Sequence, residues 1–187
     1  MSSGVLTRWI DSVLAKPLRH LVETPRRMLK GYVKPGMTVL EVGCGAGDHS
    51  LGMAKLVGSN GRIVSVDTDT ESIATLRQRA ARAGLSGRIQ AQVCSERDLE
   101  IHDLAGEVDF ALAVYVVHHA ADAAGLLRDV HGALKPGGIL LVVEPRHHAS
   151  AAECQATESE AQEAGFTIVD HPKLWRDWAV RFEKAER

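Results

Sequence analysis

The sequence predicts a doubly wound α/β sheet of seven strands with the last strand reversed, and three observations point to it. From Met37 onward, short apolar runs alternate with longer amphipathic ones, the pattern of repeated βαβ units. The run VLEVGCGAGDHS (Val39–Ser50) packs Gly43, Gly45 and Gly47 into a strand-to-helix turn. In the tail, WAVRFEK alternates Trp178, Val180 and Phe182 against Ala179, Arg181 and Glu183, the two-residue period of a strand. No helix-length segment separates it from the strand before, so a parallel crossover has no room and the two form an antiparallel hairpin.

Each element follows in order. MTVLEV (Met37–Val42) is the first buried strand, and Ala46 to about Val57 a helix closed by Gly58 and the turn Ser59–Gly61. RIVSVD (Arg62–Asp67) is the second strand. Thr70–Ala83 is the second helix, with Thr70 as its N-cap and Gly84 as its stop. Arg88–Cys94 gives the third strand. The segment Val108–Val117 contains the fourth, followed by a helix over Asp122–Leu134 that ends at LKPGG, and ILLVVE (Ile139–Glu144) is the fifth. Ser150–Ala164 reads as a helix and Phe166–Asp170 as the sixth strand. Residues 1–36 read as a separate helical lid or cap, with stretches over about Val5–Ala15 and Leu18–Lys30 broken by Pro17 and Pro25, and residues 37–187 as one domain.

Composition narrows the function classes. At 187 residues and 45% apolar the chain can bury one core, and a net charge of −2 with 4% aromatics argues against a dedicated nucleic-acid binder. Residues 1–36 carry seven Lys or Arg against two acids, so this segment is basic while the remainder is acidic. A solvated helical face explains that asymmetry, and so does an anionic substrate, partner or membrane surface. Cys44, Cys94 and Cys154 are an odd, widely spaced set without CxxC, which suggests neither a disulfide framework nor a zinc knuckle. With no apolar run long enough to span a bilayer, a cytoplasmic protein is expected, any membrane contact being peripheral.

The glycine turn discriminates between ligands. A dinucleotide fingerprint asks for GxGxxG, but Asp48 stands where the third glycine would fall. A diphosphate would meet Glu41 and Asp48, whereas a cationic ligand would find both carboxylates favourable. Together with the VD of Val66 and Asp67, the segment VDFALAVYVVHH and the run LKPGGILLVVEP, this turn resembles the class I S-adenosylmethionine-dependent methyltransferases, notably the small-molecule type around the ubiquinone and menaquinone C-methyltransferases. That resemblance implies a Rossmann-like sheet in the order 3-2-1-4-5-7-6, S-adenosyl-L-methionine as cofactor with S-adenosyl-L-homocysteine as product, and a small organic acceptor. It also implies cofactor contacts from Glu41, Gly43, Cys44, Gly45, Gly47, Asp67, Thr68 and Tyr115. Where many relatives place an Asp after the third strand this chain has VCSE, so Ser95 and Glu96 substitute as candidates beside Cys94.

The acceptor side falls at the ends of the fourth and fifth strands, Tyr115–His119 and Glu144–His148, where His118, His119, Glu144, Arg146, His147 and His148 can share a rim. His118, His119 and His147 are the candidate bases or acceptor contacts, since imidazole works as a base near neutral pH. Helix capping and core packing are the structural alternative for these histidines. A metal site is disfavoured because adjacent pairs such as His118 and His119 diverge on regular secondary structure. Trp9, Arg26, Arg27 and Tyr32 are candidate acceptor contacts from the lid, unless Leu18, Leu21, Val22, Met28 and Leu29 simply cap the sheet. Rival functions are a noncatalytic S-adenosylmethionine-binding module, a protein or RNA methyltransferase guided by the basic segment, and a nicotinamide-dependent oxidoreductase. Methylation at O, N, C or S is equally compatible, and the sequence carries no long coiled-coil seam to fix an oligomer.

Overall fold

The computed structural model describes residues 29–147, 149–174 and 177–186. The two helical stretches expected before residue 29, with Trp9, Arg26 and Arg27, and also His148, lie outside the described residues. Seven strands form one sheet: β1 (Thr38–Val42), β2 (Arg62–Asp67), β3 (Ile89–Val93), β4 (Val108–Val114), β5 (Leu134–Pro145), β6 (Phe166–Asp170) and β7 (Asp177–Lys184). Their order is β3-β2-β1-β4-β5-β7-β6. The pairs among the first five strands are parallel, and β7 runs antiparallel to both β5 and β6. Order and reversed strand both match the sequence-based expectation.

Alternation along each strand divides the core between the two faces. Val39, Ile63, Phe110 and Leu112 pack with Met53, Ile73 and Leu76 from α1 (Asp48–Leu56) and α2 (Thr70–Arg82). Leu40, Val64, Ala111 and Val142 face the other way, onto Leu127 and Val130 of α3 (Ala123–Ala133) and Ala161 of α4 (Ala151–Glu163). Helices on both faces of a mostly parallel sheet leave the strand carboxyl ends as the place where loops can build a site. Leu29 and Val33 are buried on the α1 side, where the Tyr32 ring stacks on Phe110 at 5.6 Å between centroids.

Two details depart from expectation. Asp69, not Thr70, caps α2: its carboxylate accepts the amides of Glu71 at 3.2 Å and Ser72 at 3.1 Å, a charged acceptor at the positive helix end. LKPGG is not a helix stop followed by a loop but the start of β5, with Leu134 in register with Val108 before a bulge. Lys135 Nζ, 2.6 Å from Asp109 Oδ1, braces that bulge, while Asp109 Oδ2 accepts the Thr38 amide at 2.8 Å.

At the start of α4, Ser150 Oγ accepts the Glu153 amide at 3.2 Å and Glu153 returns the contact to the Ser150 amide at 2.7 Å. Ser150→Ala is expected to cost about 1 kcal/mol, read as a lower midpoint in chemical denaturation, with no change in ligand binding.

Candidate functional site

The glycine turn after β1 is shaped by what surrounds it. Gly43, Gly45 and Gly47 all have positive φ, 68°, 50° and 84°. A Cβ on Gly43 would stand 2.0 Å from Val116 Cγ2, and one on Gly47 2.2 Å from Leu76 Cδ1, while Gly45 faces open space. Protein packing thus claims two of the glycines. Only Gly45 leaves its bare backbone open.

Asp67 at the end of β2 braces this turn. Its Oδ2 accepts the Gly45 amide at 2.7 Å and its Oδ1 accepts the Asp69 amide at 2.9 Å. One carboxylate therefore ties the β1 turn to the β2 turn. Beside it opens a cavity of about 360 Å³, large enough for a small ligand. Among the described residues its walls come from the ends of β1 (Val42, Gly43), β2 (Asp67, Thr68), β3 (Cys94 to Leu99) and β4 (Val114 to Val116, His119 to Ala121), and from Leu126 and Asp129 of α3.

The candidate cofactor residues divide on this geometry. Gly43, Asp67, Thr68, Ser95, Glu96 and Tyr115 line the cavity, whereas Glu41, Cys44, Gly45 and Gly47 do not. Glu41 is 2% exposed and turned inward: its carboxylate accepts the Ser50 hydroxyl, lies 3.5 Å from Ser65 Oγ and 3.6 Å from His49 Nδ1. Asp48 pairs with Arg79 at 2.8 Å. Glu41 and Asp48 thus each have a protein partner inside the fold. Cys44 is buried, and burial first, then the Glu41 and Asp67 charges, pushes its thiol well above the usual range. Cys94 is pushed up to about 11 by burial and then Asp67. Both stay protonated and fill space rather than react.

Ser95 spends its hydroxyl on its own turn, accepting the Asp98 amide at 3.0 Å and the Arg97 amide at 3.3 Å. Arg97, Asp98, Leu99, Leu126 and Asp129 on the cavity wall escaped sequence reasoning. Asp129 accepts the Leu99 amide at 3.2 Å across 30 residues, a long-range pairing that no local pattern announces. Tyr115 holds φ at 61°, an uncommon conformation for a side chain of its size, and its amide N–H donates a hydrogen bond to Val143 O at 2.8 Å.

The histidines separate as well. His119 lines the cavity; His118 and His147 do not. His147 is exposed after β5, and Arg146 Nε donates to Asp177 O at 3.2 Å, while the segment after β4 lines the cavity through Tyr115, Val116 and His119. His118 and His119 do not diverge, because a single 3-10 turn (Val117–His119) brings their rings to 3.8 Å between centroids, tilted 41° to one another. His118 Nδ1 contacts Glu144 Oε2, and Glu144 is 1% exposed. Burial lifts the Glu144 carboxyl to about 7, against the amides of His118 and Val117 and the nearby His119, which favour its charged form. Among the described residues no three His, Cys, Asp or Glu side chains converge into a metal-binding group.

That shift carries a stability prediction. The Glu144 carboxyl rises from 4.5 to about 7, so the stability held by its neutral form is complete below 4.5 and is lost as pH rises through about 7. Glu144→Gln is expected to leave stability unchanged near pH 4.5 and to raise it near pH 8 by on the order of 2–3 kcal/mol, read as a higher thermal midpoint. Thermal unfolding scans of both proteins at the two pH values check it.

Comparison with known proteins places the chain in a definite group. The family described as "Methyltransferase domain" matches residues 33–186. The ubiquinone/menaquinone biosynthesis C-methyltransferase UbiE of Cellvibrio japonicus is 32% identical over 112 residues, 60% of this chain and 44% of that protein. The ribosomal protein L11 methyltransferase of Pelotomaculum thermopropionicum is 35% identical over 115 residues, 62% of this chain and 34% of that one. In fold, the chain is similar to a crystal structure of a SAM-dependent methyltransferase from Aquifex aeolicus, with a TM-score of 0.81 at 21% identity, covering 92% of this chain and 95% of the other. The chain spans 31–50% of the length of the first curated relatives it matches. No helix among the described residues is long and apolar enough to cross a membrane.

Proposed function

The chain belongs to the methyltransferase-domain family, with the class I fold of S-adenosylmethionine-dependent methyltransferases, and from that premise we propose that it transfers the methyl group of S-adenosylmethionine to a small organic acceptor. The carrying observation is the Asp67 carboxylate, which stands at the cavity wall and braces the Gly45 amide. Each of its oxygens has already accepted one N–H and keeps a second lone pair, so both ribose hydroxyls of the cofactor can donate to it. Leu99 and Leu126 offer an apolar wall for the adenine, and Gly43, at the cavity wall, gives the chain's backbone to the methionine end. Arg79, beside this turn, is already committed to Ala46 O and Asp48 rather than open to a diphosphate.

Methyl transfer asks little covalent chemistry of the protein. The sulfonium already activates the carbon, so proximity and in-line alignment supply most of the rate, with a base where the acceptor carries a proton. His119 is our candidate for that contact, because it faces the cavity and its ring is backed by His118. The relatives named for quinone methylation support a small organic acceptor, whereas the relative named for ribosomal protein L11 speaks for a protein one. S-adenosylmethionine carrying a tritiated methyl group, incubated with the chain and a panel of phenols, quinols and carboxylates, tests the reading. Label passing to an organic-soluble product supports it, and label passing only to added protein or RNA, or to nothing while the cofactor is bound, overturns it.

A further inference from the structure

We propose that Glu144 and His118 form a carboxylate–imidazole latch that holds residues 116–121 as one wall of the cavity and turns His119 toward it, so that both act as positioning residues for the ligand site. The inference rests on the cavity being the cofactor site proposed above. Three contacts converge on one carboxylate: Oε1 accepts the amides of Val117 at 2.9 Å and His118 at 3.3 Å, and Oε2 pairs with His118 Nδ1. The His118 ring then packs, tilted by 41°, against that of His119. Val116, His119, Ala120 and Ala121 line the cavity, yet neither Glu144 nor His118 reaches it. They act on the ligand only through the segment they hold.

A carboxylate in this place costs stability, since a well-packed apolar side chain would fill the end of β5 without desolvating a charge. A site whose shape depends on it gives that cost a purpose. The groups around Glu144 are His118 and His119 from the turn, Cys154 from α4 with Arg146 close to it, and Glu153 of α4 facing His118. From β7, the uncharged Trp178 stands in register with it. Burial places the Glu144 titration near 7, so the latch changes state around neutral pH. The ionised carboxylate holds both amides strongly, and as pH falls through about 7 it takes up a proton and releases part of that grip.

The test uses the full chain labelled with nitrogen-15, following the Val117 and His118 amide resonances against pH, with S-adenosylhomocysteine as the calorimetric probe. Both amides are expected to titrate together near 7, and the probe to bind more tightly at about pH 8 than at about pH 6. In Glu144→Gln the titration disappears and affinity at about pH 8 falls roughly tenfold, while the Gly45 and Asp69 amides keep their positions. His118→Gln, which leaves the carboxylate in place, keeps the Val117 titration but shifts the His119 ring resonances and weakens the probe. Amides that ignore pH in this range, or a Glu144→Gln protein that binds the probe as the wild type does, overturn the latch. If the wild type binds no probe at all, the cofactor reading fails separately and the amide titration still decides.

Discussion

Asp67→Ala is expected to weaken binding of S-adenosylmethionine and S-adenosylhomocysteine by at least about 100-fold while the sheet stays folded. In the wild type one carboxylate accepts two backbone amides, from Gly45 and Asp69, and stands at the cavity wall where two ribose hydroxyls can reach it. Alanine takes away both charge-assisted acceptors for the ligand, each worth roughly 1.5–3 kcal/mol, and frees the glycine turn from its brace. The two amides can turn to water, since Asp67 is only half-buried and Asp69 is exposed, so the fold loses less than the site. Asp67→Asn separates the two roles: it keeps an acceptor and the shape but loses the charge, and its affinity should fall between the two. Calorimetric titration measures affinity, and a near-unchanged thermal midpoint shows that the loss is local.

Gly43→Ala should be the most damaging small substitution in the glycine turn. The residue sits at φ 68°, where an L side chain costs about 1–2 kcal/mol, and the new Cβ would lie 2.0 Å from Val116 Cγ2. Relieving that overlap means moving Val116, which lines the cavity and leads into the turn held by Glu144. Overpacking adds about 1–3 kcal/mol, so a total near 2–4 kcal/mol and a drop of roughly 5–15 °C in the thermal midpoint are expected. Gly45→Ala is the control. Its Cβ would enter open space, so stability should fall by only about 1 kcal/mol.

The element pattern and the reversed β7 hairpin were legible from hydrophobic period and segment length, whereas the strand order, with β5 beside β7, was implied by the family resemblance. Positions were less legible wherever a side chain answers a partner distant in the chain. Glu41 reads as a ligand acid from its place before Gly43, yet Ser50, Ser65 and His49 claim it inside the fold. The four histidines at two strand ends looked equivalent in sequence. A 3-10 turn and one buried carboxylate 26 residues away set His118 and His119 apart from His147. Asp69 against Thr70 was a choice between adjacent caps, which the stronger charged acceptor won.

Cofactor class is the point on which everything else depends. A calorimetric titration of the wild-type chain with S-adenosylhomocysteine and, in parallel, NADH addresses it directly. One site of micromolar affinity for S-adenosylhomocysteine, with no heat from NADH, is the predicted result. Binding of NADH alone, or of neither, would contradict a methyltransferase cofactor at Asp67 and the glycine turn.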